Sequence, residues 1–158
     1  MFSPIVTNIR MILLESGLAE PNDVQGCTQA EIAEIEARTS MSLPSVYHKF
    51  LLQVGRRAGL FYEGSDMFYP RVLELREAAC ELLQEAHNNF VLPIDAFVFF
   101  MHQGYQFMYF RVVAGDDDPP IYNYIEGDTM PKQAYESFSG FVKNSVEEHN
   151  ATLIKLLY

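Results

Sequence analysis

Residues 43–55 read LPSVYHKFLLQVG, and this stretch carries the clearest helical pattern in the chain. Its large apolar side chains recur at i, i+3, i+4 and i+7, a spacing that puts them on one face of a helix; they are Tyr47, Phe50, Leu51 and Val54. Pro44 suits the first turn of a helix, because its missing N–H would have no helical partner there. Gly55 is typical of a helix end. The stretch therefore predicts an amphipathic helix that buries one face.

Further helical patterns stand on both sides of this segment. Thr28 and Glu31 form a capping-box pattern, in which a hydroxyl and a carboxylate satisfy free backbone N–H groups at the start of an acidic helix. The other segments of this half are predicted as a helix over 5–13 ending at Gly17, a loop over 18–27, a short edge strand over 60–62 and a helix over 72–86. The first half of the chain is therefore predominantly helical.

The pattern changes to β-favouring residues after Phe90. Two such segments, 97–101 and 105–113, are separated by Gln103-Gly104, which predicts a hairpin. Residues 121–125 predict a third strand, and Ser137 is placed to cap a final helix. Helices followed by hairpin-connected strands and a closing helix are typical of the α+β class. We therefore expect one domain over residues 1–158, with an antiparallel sheet flanked by N-terminal helices and a C-terminal helix.

The net charge of the chain favours some classes of binding partner over others. The chain has 158 residues with 21 Asp and Glu against 11 Lys and Arg, so its formal net charge is −10 at pH 7. This balance argues against nucleic-acid binding, which depends largely on Lys and Arg neutralising phosphates, and against docking on an anionic membrane surface. It favours fast, salt-sensitive encounter with a basic protein. The sequence shows no export or membrane-anchoring segment, so we expect a cytoplasmic protein.

The usual catalytic and metal-binding motifs are missing from the sequence. It contains no phosphate-binding Gly-rich motif, no HExxH and no GxSxG. Cys27 and Cys80 are too few for a disulfide scaffold or a thiolate metal site, and no two histidines stand at ligand spacing. We therefore expect no cofactor, no metal and no enzymatic activity. A small hydrolase that uses His102 with acidic neighbours is the remote alternative.

The most conspicuous polar feature is the triplet Asp116-Asp117-Asp118, which precedes two prolines and the third predicted strand. It is a solvated turn, an electrostatic contact for a basic partner, or a cation site, although the spacing does not fit the calcium-binding loop. Tyr122 and Tyr124 alternate along the strand and share one sheet face, where they are core residues or, if that face is open, interface anchors. The expected partner-binding residues are Asp116, Asp117, Asp118, Tyr122 and Tyr124, with Glu126 and Asp128 at the far end of the strand.

The segment quoted first, with its surroundings, resembles the SUKH superfamily, which includes the fungal cell-wall-assembly-regulator type. In that family an acidic helix leads into an LPxxYxxFL helix and then a glycine-containing loop. The residues that match this pattern are Glu36, Leu43, Pro44, Tyr47, Phe50, Leu51 and Gly55. The later segments 92–95, 120–122 and 137–141 are compatible with the same family, so the resemblance covers residues 28–146. We expect the motif residues to pack the fold and not to contact a partner.

The resemblance implies a single α+β domain with a curved antiparallel sheet and flanking helices. It also implies a non-catalytic protein-binding module. Bacterial members commonly act as immunity proteins that bind and neutralise a cognate toxin delivered between competing cells, and many of those toxins are nucleases with basic clefts. The alternative is a housekeeping scaffold or regulatory module, as in the fungal branch.

Overall fold

A computed structural model describes residues 4–157 of the chain, so the predicted domain over 1–158 extends beyond it by residues 1–3 and residue 158. The described helices are α1 (Pro4–Thr7), α2 (Ile9–Glu15), α3 (Gln29–Thr39), α4 (Ser45–Val54), α5 (Leu75–Glu85) and α6 (Phe138–Leu157). The described strands are β1 (Val24–Gln25), β2 (Arg57–Ala58), β3 (Ala96–His102), β4 (Gln106–Arg111), β5 (Ile121–Ile125) and β6 (Lys132–Tyr135). This arrangement confirms the α+β class.

The helix predicted from residues 43–55 is α4, and it is the central helix of the core. Its apolar face is buried, and Gly55 follows its last residue as predicted. Pro44 lies one position before the helix, with an extended ψ of 141°, and not in its first turn as expected. The Tyr47 ring packs at 5.2 Å from both the Phe97 and the Phe110 rings, so α4 lies directly against the main sheet.

The main sheet is an antiparallel meander of four strands in the order β3-β4-β5-β6. The predicted hairpin is β3–β4, and the predicted third strand is β5 with the expected bounds. The sequence did not predict β6, which pairs Lys132 with Asn123 and Tyr135 with Ile121. This edge strand reads KQAY and is mostly exposed, so it has none of the apolar alternation that marks a half-buried strand.

A bulge interrupts β3 within the aromatic face of the sheet. The pairing with β4 shifts between Val98 and Phe100, so that Phe99 is an extra residue on this strand. Phe99 nevertheless contacts the core on the helix side, with its ring 5.4 Å from Phe138 and 5.2 Å from Phe141 of α6. Bulges of this kind also bend and twist the strand that carries them.

Helices cover both faces of the main sheet. α4 and α6 pack on the face that carries Phe97, Phe99 and Phe110. α5 packs against β3 on the other side, and Asn88, just after this helix, donates a 3.3 Å hydrogen bond to the Tyr124 hydroxyl. β3 and β4 are therefore buried on both faces, whereas β5 is only partly buried and β6 is mostly exposed.

The predicted helix starts at Thr28 and Ser137 are confirmed. The capping box at Thr28 is complete, with hydrogen bonds in both directions between Thr28 and Glu31. The Ser137 hydroxyl accepts the Gly140 N–H at 3.0 Å at the start of α6.

The edge strand predicted over 60–62 is wrong, because this segment is a series of turns in which Tyr62 has a φ of 52°. The strand pair beside it, β1–β2, joins Val24 to Ala58, and its first strand lies inside the predicted loop over 18–27.

Within residues 4–157, none of the helices combines the length and the apolar character that crossing a membrane requires.

Candidate partner-binding surface

The three aspartates of the loop before β5 have different environments. Asp118 faces the protein: its two carboxylate oxygens accept the backbone N–H of Ser139 at 2.9 Å and the Ser139 hydroxyl at 2.5 Å. A carboxylate at the start of α6 also interacts favourably with the helix dipole. Asp116 is half-buried and accepts the Asp118 N–H at 3.3 Å, whereas the Asp117 side chain is exposed. Asp117 is therefore the freest carboxylate of the loop.

The two tyrosines of β5 do share a face, and the structure separates them by burial. Both lie on the face opposite Ile121, next to Tyr109 and Phe107 of β4. Tyr124 is completely buried, so it is a core residue with no surface to offer a partner. Tyr122 is half-exposed, and its ring stacks on Tyr109 at 5.2 Å with an interplanar angle of 19°. Only Tyr122 is available as a contact.

The acidic residues after β5 also divide into one structural and one exposed side chain. The Asp128 carboxylate accepts the Ile125 N–H at 3.1 Å and closes the turn after the strand. Glu126 is exposed. Because five residues of strand span about 17 Å, Glu126 and Asp117 lie at opposite ends of the strand and do not form one cluster. The accessible part of the predicted surface, here the β5 surface, consists of Asp116, Asp117, Tyr122 and Glu126.

A second acidic surface lies on α5, where the sequence analysis placed only a helix. Glu77, Glu81 and Glu85 are exposed at successive i, i+4 positions, so their like charges repel along one helix face. The nearby cation Arg76 points inward instead, donating from Nη1 to the carbonyls of Pro93 at 3.0 Å and Ala96 at 2.8 Å. The sequence alone could have indicated this acidic stripe, because the three glutamates stand four residues apart, opposite the apolar face of the same helix.

Exposed apolar side chains accompany this acidic stripe. The chain after α5 runs back beside the helix, and a groove of about 260 Å³ lies between Cys80, Gln84 and residues 88–92. Val91 is 82% exposed on this segment, and Ile94 is 89% exposed just beyond it. We call Glu77, Glu81, Glu85, Val91 and Ile94 the α5 face. It combines charge with apolar anchors, as partner-binding surfaces do.

The residues of the sequence motif make internal contacts. Glu36 accepts the Leu43 N–H at 2.8 Å and so fixes the start of the segment that leads into α4. Leu43, Pro44, Tyr47, Phe50 and Leu51 are buried. A Cβ at Gly55 would lie 2.5 Å from the Cys27 sulfur, so this close crossing of two chain segments requires glycine.

The family model described as SMI1/KNR4 family (SUKH-1) matches residues 26–144. The chain belongs to this family. The match confirms the superfamily that the motif predicted. It begins at Gly26, a residue in a tight contact, because a Cβ there would lie 1.7 Å from the Leu52 carbonyl oxygen. No curated protein shows significant similarity to the chain.

Within this SMI1/KNR4 domain, Arg56 organises a charged cluster beside the motif helix. Its guanidinium pairs with Glu31 and lies 4.9 Å above the Tyr69 ring. The hydrogen bond from Arg56 lowers the pKa of Glu31 to about 2, and the Tyr69 hydroxyl donates to Glu34 at 2.6 Å. The cluster ties α3 to the turn after α4, and the sequence analysis did not identify it.

The SMI1/KNR4 domain also pairs His102 with a serine, which bears on the hydrolase alternative. His102 Nδ1 lies 2.8 Å from the Ser65 hydroxyl, and its ring packs 5.6 Å from Tyr105. The Ser65 and Asp66 N–H groups, which could stabilise an oxyanion beside a serine nucleophile, are already donated to the Tyr62 and Met101 carbonyls at 3.0 and 2.7 Å. The hydrogen bond between Ser65 and His102 joins the hairpin tip to the loop that precedes α5.

Among residues 4–157, no group of three or more His, Cys, Asp or Glu side chains is arranged to hold a metal ion.

Proposed function

We propose that this SMI1/KNR4 domain is an immunity protein that neutralises a cognate toxin by direct binding, without catalysis. The observation that carries the proposal is the family match over residues 26–144. A net charge of −10 and two exposed acidic surfaces support a toxin with a basic cleft, for example a nuclease. An acidic protein reaches such a cleft quickly and blocks it by occupying positions meant for phosphates.

The two acidic surfaces are alternative candidates for the toxin contact. The β5 surface carries Asp116 and Asp117 beside a half-exposed tyrosine, whereas the α5 face carries Glu77 and Glu81 beside two strongly exposed aliphatic side chains. Buried apolar anchors contribute most of the affinity in typical interfaces, and peripheral charges mainly set the association rate. The exposed aliphatic side chains favour the α5 face as the main source of affinity. Both surfaces are candidates for electrostatic steering of the toxin.

The test uses the toxin encoded beside this gene and two charge-matched double variants, Asp116→Lys/Asp117→Lys and Glu77→Lys/Glu81→Lys. We expect co-expression of the unmodified chain to protect cells from the toxin, and we expect the purified proteins to form a complex. The variant that lies at the interface should slow association about tenfold or more at low salt, and the other should change it little. The variant Val91→Ser/Ile94→Ser should raise the dissociation rate if the α5 face is the anchor.

Different outcomes reject different parts of the proposal. Neither protection nor binding with any adjacent toxin would reject the immunity function and favour the regulatory alternative. Protection that survives both double variants with unchanged association rates would reject electrostatic recognition at these two surfaces, while the function itself would stand.

A further inference from the structure

The C-terminal helix carries an apolar stripe beyond the residues that cover it. α6 spans Phe138–Leu157, and its early inward residues, such as Phe141 and Val142, are completely buried. Further along, Leu153 is only partly buried and packs near Gly17. Leu156 and Leu157 are 80% and 68% exposed, although helical geometry continues the same stripe through them.

A groove lies beside this last part of α6. It measures about 380 Å³ and is bounded on one side by Leu18, Leu60 and Tyr62. The α6 side is formed by Glu148, His149, Thr152, Leu153 and Leu156. Leu60 is 46% exposed at the rim, so apolar side chains line the groove from this rim to Leu156 at the helix end, together with the polar Glu148, His149 and Thr152.

The exposed face of α6 next to this groove is complementary to itself. Glu148, Ala151, Thr152 and Lys155 stand at i, i+3, i+4 and i+7, so they share one helix face, and all four are exposed. A negative charge lies at one end of this face, a positive charge at the other, and small side chains lie between them. No salt bridge of the described residues includes Glu148 or Lys155.

We propose that a second copy of this chain docks on this surface, with the two α6 helices antiparallel. A twofold axis between Ala151 and Thr152 places Glu148 of each copy opposite Lys155 of the other, so every interface contains two such ion pairs. The small residues at the axis allow the helices to approach closely. The same arrangement brings Leu156 of each copy over the groove of the other, as a twofold interface requires.

The test is sedimentation equilibrium of the full chain from about 5 to about 500 µM at a constant 0.15 M salt, about the physiological ionic strength. We expect the average mass to rise with concentration toward twice the monomer mass. Each of Glu148→Lys and Lys155→Glu should weaken the association at least tenfold, because a single reversal creates two like-charge contacts per interface. The double variant Glu148→Lys/Lys155→Glu should restore it.

Matched controls separate this interface from general effects of charge and hydrophobicity. Glu147→Lys makes the same charge change one residue earlier, about 100° around the helix, and should leave the association unchanged. Leu156→Ser should weaken association, whereas Ile154→Ser, which replaces a residue 57% exposed on another side of α6, should not.

A chain that stays monomeric over the whole range would overturn the proposal. So would a double variant that folds, by circular dichroism, but does not recover. If the chain is monomeric and Leu156→Ser weakens toxin binding instead, the groove belongs to the toxin and not to a second copy.

Discussion

The hydroxyl of Tyr47 is an unusual polar atom in the core of this domain. The residue is completely buried, and its oxygen has no hydrogen-bond partner among residues 4–157. Burial raises the pKa of this phenol well above its ordinary value, which keeps it neutral. The ring, by contrast, packs against five other aromatic rings of α4, the main sheet and α6; they are Phe50, Phe97, Phe99, Phe110 and Phe138. The motif therefore uses the ring of Tyr47 for packing, and the hydroxyl adds a desolvation cost.

We predict that Tyr47→Phe leaves the free energy of unfolding unchanged or raises it by about 1 kcal/mol, because the variant removes an unsatisfied polar group and keeps the ring. Urea unfolding measures the difference. Phe50→Ala is the contrasting variant, and it should cost about 3–5 kcal/mol because the site is fully buried. A loss above about 1 kcal/mol for Tyr47→Phe would mean that the hydroxyl has a partner.

His149 makes the free energy of unfolding of this domain depend on pH. Its ring packs 5.1 Å from Phe61 and 4.7 Å from Tyr62, and burial lowers its pKa below 6.5, against the opposing effect of Glu148. The folded state therefore favours neutral His149, so its contribution is complete above the unfolded pKa and is lost as the pH falls below that value.

We predict that the unfolding free energy falls as the pH drops below about 6.5, the ordinary pKa of histidine, and that His149→Gln makes this fall smaller. Urea titrations at several pH values measure the slope for each protein. An unchanged slope in His149→Gln would show that other groups carry the pH dependence.

At the scale of elements, α6 depends on a carboxylate from the loop before β5. Asp118 holds the Ser139 backbone and hydroxyl, while its neighbour Asp117 leaves its side chain in solvent. Two adjacent aspartates thus have separable roles, one in folding and one available for binding.

We predict that Asp118→Ala lowers the free energy of unfolding by about 1–2 kcal/mol, the typical effect of losing a helix cap. Asp117→Ala should change it by less than about 0.5 kcal/mol, as expected for an exposed site. Thermal and urea unfolding of the two variants provide the comparison. Equal effects of the two substitutions would contradict the assignment of the cap to Asp118.

Elements with a strong local pattern could be predicted from the sequence, and elements defined by long-range contacts could not. α4, the β3–β4 hairpin and β5 follow from apolar spacing and turn residues alone. β6 is polar, and only its pairing with β5 makes it a strand. Phe61 and Tyr62 are aromatic because their rings pack on α6, at 5.1 and 4.7 Å from the His149 ring, and not because residues 60–62 form a strand.

The candidate surface could likewise be predicted only in part from the sequence. Alternation correctly put Tyr122 and Tyr124 on one face of β5. It could not show that Asn88, 36 residues away in the chain, covers Tyr124 and leaves Tyr122 half-exposed. Likewise, composition revealed the acidic loop, but only the folded chain shows that Asp118 and Asp128 are engaged in backbone capping and turn closure.

At the scale of the whole molecule, one core connects all of the layers. Buried side chains from Val6 in α1 to Val146 in α6 form a single cluster, which also includes residues of α5 and the main sheet. Among residues 4–157, neither face of the sheet has a separate core of its own.

We therefore predict that the chain unfolds in one cooperative transition, as a single domain should. Far-ultraviolet circular dichroism follows the helices, and near-ultraviolet dichroism follows tyrosines on both faces of the sheet, since the chain has no tryptophan. The two urea curves should coincide. Separate midpoints would indicate that α5 and its side of the sheet unfold independently.

The bulge at Phe99 affects how related sequences should be compared. Because β3 holds one residue more than β4 requires between Val98 and Phe100, a relative can lack that residue and keep every other strand pairing. A one-residue gap at this position in an alignment then indicates a straighter strand, and not a lost strand or a misplaced hairpin. A comparison that penalises gaps inside strands would underestimate the similarity between such a relative and this chain.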